Sequence, residues 1–192
     1  MERLHAAIPQ RIKCAGFGGQ GILALGEIIA IAAMRLGRNV SWLPSYGPES
    51  RGGTCNCDVI LSDTDIAAPL VDHPNSAFIF NQPSLDKFEP EICAEGILFY
   101  DTSLAHLAAE RDGVTHLGVP FTTIALNLGS ERVANMVALG GYVGALDILD
   151  QGLAAAAMRE KFHGKERFFA LNEKAIAAGI DAVQELLIQD RA

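Results

Sequence analysis

The chain has 192 residues, of which 49% are hydrophobic and 20% are charged, and its net charge is -8 at pH 7. This length and composition predict one folded domain over residues 1–192 and exclude a disordered chain. No cluster of lysine and arginine is long enough for a nucleic-acid face, so nucleic-acid binding is disfavoured. The longest apolar runs contain Glu27 or Asp147 and are rich in glycine, which argues against a membrane span.

The amino terminus, Met1 to Lys13, lacks the basic start and apolar centre of a signal peptide. The chain has four cysteines, Cys14, Cys55, Cys57 and Cys93. They fit a reducing cytoplasm better than a disulfide framework, and their spacing matches neither an iron–sulfur cluster nor a zinc site. We therefore expect a cytoplasmic protein that holds no metal of its own.

The first predicted strand, Arg11 to Ala15, leads into the segment Gly16-Phe17-Gly18-Gly19-Gln20-Gly21, and a predicted helix follows from Ile22 to Leu36. The glycines at 16, 18 and 21 have the spacing of a dinucleotide-binding turn. Glycine lets a phosphate approach the backbone closely, and the first amides of a helix can bind an anion. The alternative is a tight turn that needs small residues for packing; the flanking strand and helix favour a ligand.

Val40 to Leu43 is predicted to be the second strand, which completes a strand–helix–strand unit. A NAD site usually has an aspartate or glutamate near the end of this strand to bind the ribose. The segment Ser41 to Tyr46 has neither, and Glu49 follows a proline inside a loop. Ordinary NAD binding is therefore disfavoured, and a free-standing nucleotide-binding oxidoreductase is kept as an alternative.

A second glycine-rich loop runs from Tyr46 to Gly53, and Arg51 precedes Gly52 and Gly53 in it. An arginine among small residues can bind a phosphate or a carboxylate through two parallel hydrogen bonds. An ion pair between Arg51 and a nearby carboxylate is the alternative. Tyr46 and Trp42 either stack on a partner or pack the loop, and packing is favoured for Trp42.

The rest of the chain alternates short apolar strands with helices. Residues 54–62 alternate in polarity, which predicts a strand with one apolar and one partly polar face. Further strands are predicted at 77–80, 97–100 and 116–119, and helices at 85–92, 122–128, 131–149, 153–162 and 166–189. This order predicts an α/β fold, a three-layer Rossmann-like sandwich with a mostly parallel sheet.

No catalytic group is predicted. The five histidines lie far apart in the sequence, and Cys55 and Cys57 are interpreted as core thiols. Asp101 is expected to cap the turn after its strand, and a role in a ligand site stays open because ligands bind at this end of α/β sheets. The glycines at 140, 141 and 144 indicate either close packing on the chain's own sheet or a subunit interface.

These motifs resemble the gamma subunit of the 2-oxoacid:ferredoxin oxidoreductases, the pyruvate and 2-oxoglutarate synthase family. The resemblance covers nearly the whole chain, and the loop from Tyr46 to Gly53 is its most specific part. The matching segments are Gly16–Gly21, Pro44–Gly53, Val59–Ser62, Asn81–Leu85, Tyr100–Ser103 and Asn135–Gly140.

The resemblance implies the gamma-domain fold of pyruvate:ferredoxin oxidoreductase and a place in a multi-subunit enzyme. Such enzymes convert a 2-oxoacid and coenzyme A into an acyl-CoA, carbon dioxide and reduced ferredoxin. The partners implied are alpha and beta subunits, with or without a delta subunit, and ferredoxin through the complex. Thiamine diphosphate and 4Fe-4S clusters would belong to those partners, and the isolated chain is expected to be inactive.

The loop from Ser45 to Thr54 favours 2-oxoglutarate, with pyruvate or an indolepyruvate-type enzyme as alternatives. The pairing of an amide-rich helix start with an arginine loop suggests residues that enclose the active site, near the phosphates of coenzyme A, or that only dock onto partner subunits. These residues are Gly16, Gly18, Gly19, Gln20, Gly21, Arg51, Gly52 and Gly53. A non-catalytic interaction module is a further alternative.

Overall fold

The computed structural model describes residues 3–4, 8–46 and 53–189. Within them, six strands form one sheet in the order β2-β3-β1-β4-β5-β6. The strands are β1 (Gln10–Phe17), β2 (Asn39–Tyr46), β3 (Thr54–Ser62), β4 (Ser76–Ile79), β5 (Ile97–Asp101) and β6 (Thr115–Val119). Strands β1, β4, β5 and β6 pair in parallel, so the prediction of a mostly parallel sheet is confirmed.

Strand β3 departs from the parallel arrangement. It pairs antiparallel with β1 on one side and with β2 on the other. The first strand–helix–strand unit is present, but β3 lies between its two strands. Because β2 and β3 are consecutive and antiparallel, β3 runs back alongside β2 and occupies the place next to β1.

The helices are α1 (Ile22–Arg35), α2 (Gln82–Phe88), α3 (Phe121–Asn127), α4 (Ala134–Ala145), α5 (Gln151–Lys161) and α6 (Phe169–Gln189). Short 3-10 turns precede α4 and α6 and follow α2. Helix α2 begins three residues before the predicted Leu85 because Asn81 caps it, accepting a hydrogen bond from the Ser84 amide at 2.9 Å. Helix α4 ends four residues before the predicted Leu149, since Leu146 is already extended.

The two faces of the sheet carry unequal cores. Cys14, Phe78 and Phe99 point into the larger core, which α1, α4, α5 and α6 cover. Their neighbours in the same strands, such as Ala15 and Leu98, point into a smaller core under α2. Helices therefore lie on both faces, as the layered prediction requires, with most of the apolar mass on one side.

Helix α4 lies in the centre of the larger core, and all twelve of its residues are buried. An added Cβ atom at Gly140 would overlap the carbonyl oxygen of Ile176 in α6, and one at Gly144 would lie 3.0 Å from the Ile180 Cα atom. At Gly179 in α6 an added Cβ atom would overlap the carbonyl oxygen of Val137. Packing within the chain therefore accounts for these glycines, and their main partner is α6 rather than the sheet.

The partly polar face of β3 is buried from Asp58 to the end of the strand. Asp58 forms an ion pair with Lys13, directly opposite on β1, and both residues are less than one tenth exposed. The second oxygen of Asp58 accepts a hydrogen bond from the Val71 amide at 3.1 Å. A buried charge needs such partners, so this pair fixes the register of β1 against β3.

Candidate functional site

The first glycine segment forms the turn between β1 and α1. The side chain of Gln20 closes this turn: its Oε1 accepts from the Phe17 amide at 2.6 Å, and its Nε2 donates to the Phe80 carbonyl at 3.0 Å. Phe80 follows β4, the strand next to β1. Gln20 therefore fixes the turn against the end of the neighbouring strand.

Two glycines of this turn have packing roles. An added Cβ atom at Gly16 would lie 2.6 Å from Gln20 Oε1 and 2.8 Å from Ile22 Cδ1. Gly21 caps α1 with φ of 77°, and its carbonyl accepts a hydrogen bond from Asn135 Nδ2 at 3.1 Å. The Asn135 side chain fills the space that a Cβ atom at Gly21 would need. At these two positions the need for small residues is explained within the chain.

Gly19 has a different environment. Its φ is 106°, and an added Cβ atom would meet no described atom within 4 Å. The positive φ explains why glycine is favoured here, but no packing contact does. The Gly19 backbone is therefore open to close approach by another molecule.

A cleft of about 350 Å³ lies beside this turn, and Gly18, Gly19 and Gln20 form one of its walls. Phe80 after β4, Leu104 after β5 and other residues that follow parallel strands also line it. The cleft therefore lies at the carboxyl ends of the parallel strands, where α/β folds bind ligands.

The opposite wall comes from the start of α4, and it includes Glu131 and Arg132. Arg132 is exposed and has no ion pair among the described residues. Its guanidinium group can therefore bind a phosphate or a carboxylate. Sequence reasoning missed Arg132, because more than a hundred residues separate it from the glycine turn and only the fold brings the two together.

The second glycine loop is described only in part. Arg51 and Gly52 lie outside the described residues, so their predicted roles remain predictions. Gly53 is described, and its carbonyl accepts a hydrogen bond from the Gly18 amide at 3.0 Å. The end of the second loop therefore lies directly against the first turn.

Asp101 is fully buried and its carboxylate is occupied. One oxygen accepts from the Ser103 amide at 3.0 Å, and the other accepts from the Thr122 amide at 3.1 Å and hydroxyl at 2.5 Å. The expectation that Asp101 caps the following turn is confirmed. It also fixes the start of α3 and does not line the cleft.

Two thiols of the larger core, those of Cys14 and Cys55, have a raised pKa. A hydrogen bond with Cys57, followed by burial, raises the pKa of the Cys14 thiol well above its ordinary value. Burial also raises the pKa of Cys55. Because a thiol reacts as its thiolate, these groups suit packing rather than nucleophilic chemistry, as the interpretation of core thiols proposed.

Over residues 3–4, 8–46 and 53–189, no group of three or more His, Cys, Asp or Glu side chains is placed to hold a metal ion. No helix in that part of the chain is both long and apolar enough to cross a bilayer.

Comparison with known proteins identifies the family. Residues 11–182 match the model of the family described as pyruvate ferredoxin/flavodoxin oxidoreductase. The chain belongs to this family. It is 31% identical over 171 residues to the 2-oxoglutarate synthase subunit KorC of Archaeoglobus fulgidus. This match covers 88% of this chain and 86% of KorC.

A second relative is longer than this chain. The chain is 43% identical over 173 residues to the ketoisovalerate oxidoreductase subunit VorA of Methanothermobacter marburgensis. The match covers 89% of this chain and 36% of VorA, so the chain spans about a third of that relative's length.

Solved structures share the fold. The gamma subunit of keto/oxoacid ferredoxin oxidoreductase from Geobacter sulfurreducens superposes with a TM-score of 0.78 at 29% identity, over 92% of this chain and 99% of the subunit. The 2-oxoglutarate:ferredoxin oxidoreductase of Magnetococcus marinus, solved with 2-oxoglutarate, coenzyme A and succinyl-CoA, superposes with a TM-score of 0.84 at 25% identity. That match covers 94% of this chain and 32% of the Magnetococcus marinus chain. These similarities confirm the gamma-type fold that the sequence motifs indicated.

Proposed function

We propose that this chain is the gamma-type subunit of a multi-subunit 2-oxoacid:ferredoxin oxidoreductase. The complex converts a 2-oxoacid and coenzyme A into the acyl-CoA and carbon dioxide, and two electrons pass to ferredoxin. The family match over residues 11–182, together with near-complete coverage of a solved gamma subunit, carries this proposal.

The chain contributes structure rather than a reacting group in this proposal. Cys14, Cys55 and Cys57 pack in the larger core, and the described residues contain no group of three or more His, Cys, Asp or Glu side chains placed to hold a metal ion. We therefore assign the 4Fe-4S clusters and thiamine diphosphate to the alpha and beta subunits, with or without a delta subunit. Ferredoxin would receive its electrons from those subunits.

We further propose that the first glycine segment, Gly16 to Gly21, and the loop with Arg51, Gly52 and Gly53 help enclose the phosphates of coenzyme A. The open backbone at Gly19 and the unpaired Arg132 on the facing wall of the cleft support this assignment. The hydrogen bond from Gly18 to Gly53 supports a shared position for the two loops. In this arrangement backbone amides and guanidinium groups bind the phosphates and hold the thiol end of coenzyme A toward the partner's reaction centre.

Replacement of Arg51 by alanine tests this assignment in the assembled complex. The expected result is a higher KM for coenzyme A with unchanged subunit composition. Arg35→Ala is the matched control, because Arg35 forms only an exposed ion pair with Glu160 at the far end of α1. If Arg51→Ala instead lowers co-purification and the remaining complexes have a normal KM, the loop serves only for docking.

Two substrates have support. The loop from Ser45 to Thr54 favours 2-oxoglutarate, whereas the identity of 43% to VorA, against 31% to KorC, favours ketoisovalerate. The complex is to be purified through a tag on this chain and assayed with 2-oxoglutarate, ketoisovalerate, pyruvate and indolepyruvate. The substrate with the highest kcat/KM decides between them, and the absence of coenzyme A-dependent turnover with all four rejects the proposed function.

A further inference from the structure

A second cleft of about 400 Å³ lies between the start of α4, the end of α5 and the first turns of α6. This volume is within the range of small-molecule sites. The glycine turn does not line it, and Arg132 is the one described residue that lines both clefts. The second cleft is therefore a separate space that shares one cation with the first.

The most unusual residue of this cleft is Asn172. It is only 6% exposed as a residue, it lies within α6, and its side-chain amide makes no hydrogen bond with another described residue. The amide is not among the fully buried polar atoms that lack a partner, so it remains accessible to solvent. Asparagine is a poor residue for a helix interior, and since Asn172 lines the cleft, its amide is available to a bound molecule.

The walls around Asn172 are apolar. Val133 is buried, and Phe162 and Leu171 are partly buried against the larger core. Phe168 lies at the rim with 42% of its surface exposed, and the Arg167 guanidinium stacks 4.6 Å from its ring centroid. A bound apolar group would cover this exposed surface and gain hydrophobic free energy.

The rim of the cleft is positively charged. Arg132 and Lys165 both line it, and neither forms an ion pair with a described residue. None of the described residues that line it is acidic, although the chain as a whole carries a net charge of -8. Two unpaired cations beside an apolar pocket are arranged to bind an anionic group.

We propose that this cleft binds a small amphipathic anion, a molecule with an apolar body and one carboxylate or phosphate group. The apolar body packs on Val133, Phe162 and Leu171. The anionic group binds Arg132 and Lys165, and a polar atom next to it pairs with the Asn172 amide. This inference goes beyond the proposed function, because it concerns a pocket outside the glycine cleft.

Fluorescence titration of the full 192-residue chain with 1-anilinonaphthalene-8-sulfonate, an amphipathic anion, tests the proposal. Octanoate is expected to displace this probe, whereas octanol, with the same chain and no charge, is expected to compete at least about fivefold more weakly. Failure of octanoate to displace the probe, or equal competition by octanol, overturns the proposal.

Two variants locate the binding site. Asn172→Leu, nearly isosteric, is expected to weaken octanoate binding about fivefold without lowering Tm. Lys165→Gln is expected to weaken it about threefold. Lys87→Gln is the control, because Lys87 lies on α2 at the other face of the sheet. If Asn172→Leu and Lys165→Gln bind octanoate as the unmodified chain does, the probe binds elsewhere and the proposal fails.

Discussion

At Gly140 in α4 an added Cβ atom would overlap a backbone oxygen of α6, whereas at Gly19 in the β1–α1 turn the same atom would meet no described neighbour within 4 Å. Both glycines belong to segments that resemble the same family. The first allows two helices to pack closely in the core. The second leaves its backbone open beside a cleft at the carboxyl ends of the parallel strands.

The difference separates two reasons for a glycine-rich segment. Where an added side chain has no room, the fold alone explains the glycine, and a substitution acts on stability. Where there is room, the fold explains only the backbone conformation, and a substitution can act on a ligand or a partner. Substitutions at glycines of both kinds test this separation, and the largest effect is expected where the added side chain has no room.

Gly140→Ala is expected to lower the free energy of unfolding by about 3 kcal/mol, because its methyl group forces α4 and α6 apart. Urea denaturation followed by circular dichroism measures the effect. Gly152→Ala is the control, since at that position in α5 an added Cβ atom meets only the Asp150 side chain, at 3.3 Å. A Gly140→Ala protein as stable as the control would show that the α4–α6 contact is loose.

Gly21→Ala is expected to lower the free energy of unfolding by about 2 kcal/mol, because the residue has positive φ and Asn135 fills the space for its side chain. Adding Asn135→Ala removes the collision but leaves the backbone strain. The double mutant should therefore lose less than the sum of the single mutants. Additive losses would mean that Asn135 and the turn are energetically independent.

Gly19→Ala is expected to cost only about 1 kcal/mol of stability, from backbone strain. In the assembled complex it should raise the KM for coenzyme A about tenfold, because the methyl group obstructs the approach of a phosphate. Gly113→Ala is the matched control, with positive φ and open space but a position near the amino-terminal end of β6. Equal KM values for the two variants would remove Gly19 from the binding site.

The last effect depends on pH and is absent at neutral pH. The pKa of the Cys14 thiol is raised in the folded chain, so its stabilising contribution is complete below the ordinary value of 9.0 and is lost as the pH rises above it. The free energy of unfolding should then fall by up to about 1.4 kcal/mol per pH unit for this thiol. Urea denaturation between pH 8 and 10, roughly the window set by the ordinary thiol pKa, measures the slope, and Cys14→Ala should reduce it. An unchanged slope in Cys14→Ala would assign the effect to other groups.

The sequence predicted those features that depend on local patterns. Strand β3 has the predicted bounds, Thr54 to Ser62, because its alternation in polarity is continuous, and α1 begins where the glycine turn ends. The order of the strands was not predicted, since the pairing of β3 with β1 joins residues far apart in the chain.

The candidate site was predicted in part for the same reason. Gly18, Gly19 and Gln20 line the cleft, whereas Gly16 and Gly21 serve packing within the turn. Arg132 carried no local motif, and neither did the unpaired amide of Asn172. Their environments come from the packing of α4, α5 and α6, which a local pattern does not encode.

The most direct test of the central claim is the rate of 2-oxoacid- and coenzyme A-dependent ferredoxin reduction by the partner subunits, measured with this chain, without it, and with this chain alone. We predict full activity only when the chain and its partners are combined, and no turnover by the chain alone. Turnover by the isolated chain, or full activity of the partners without it, would contradict the account.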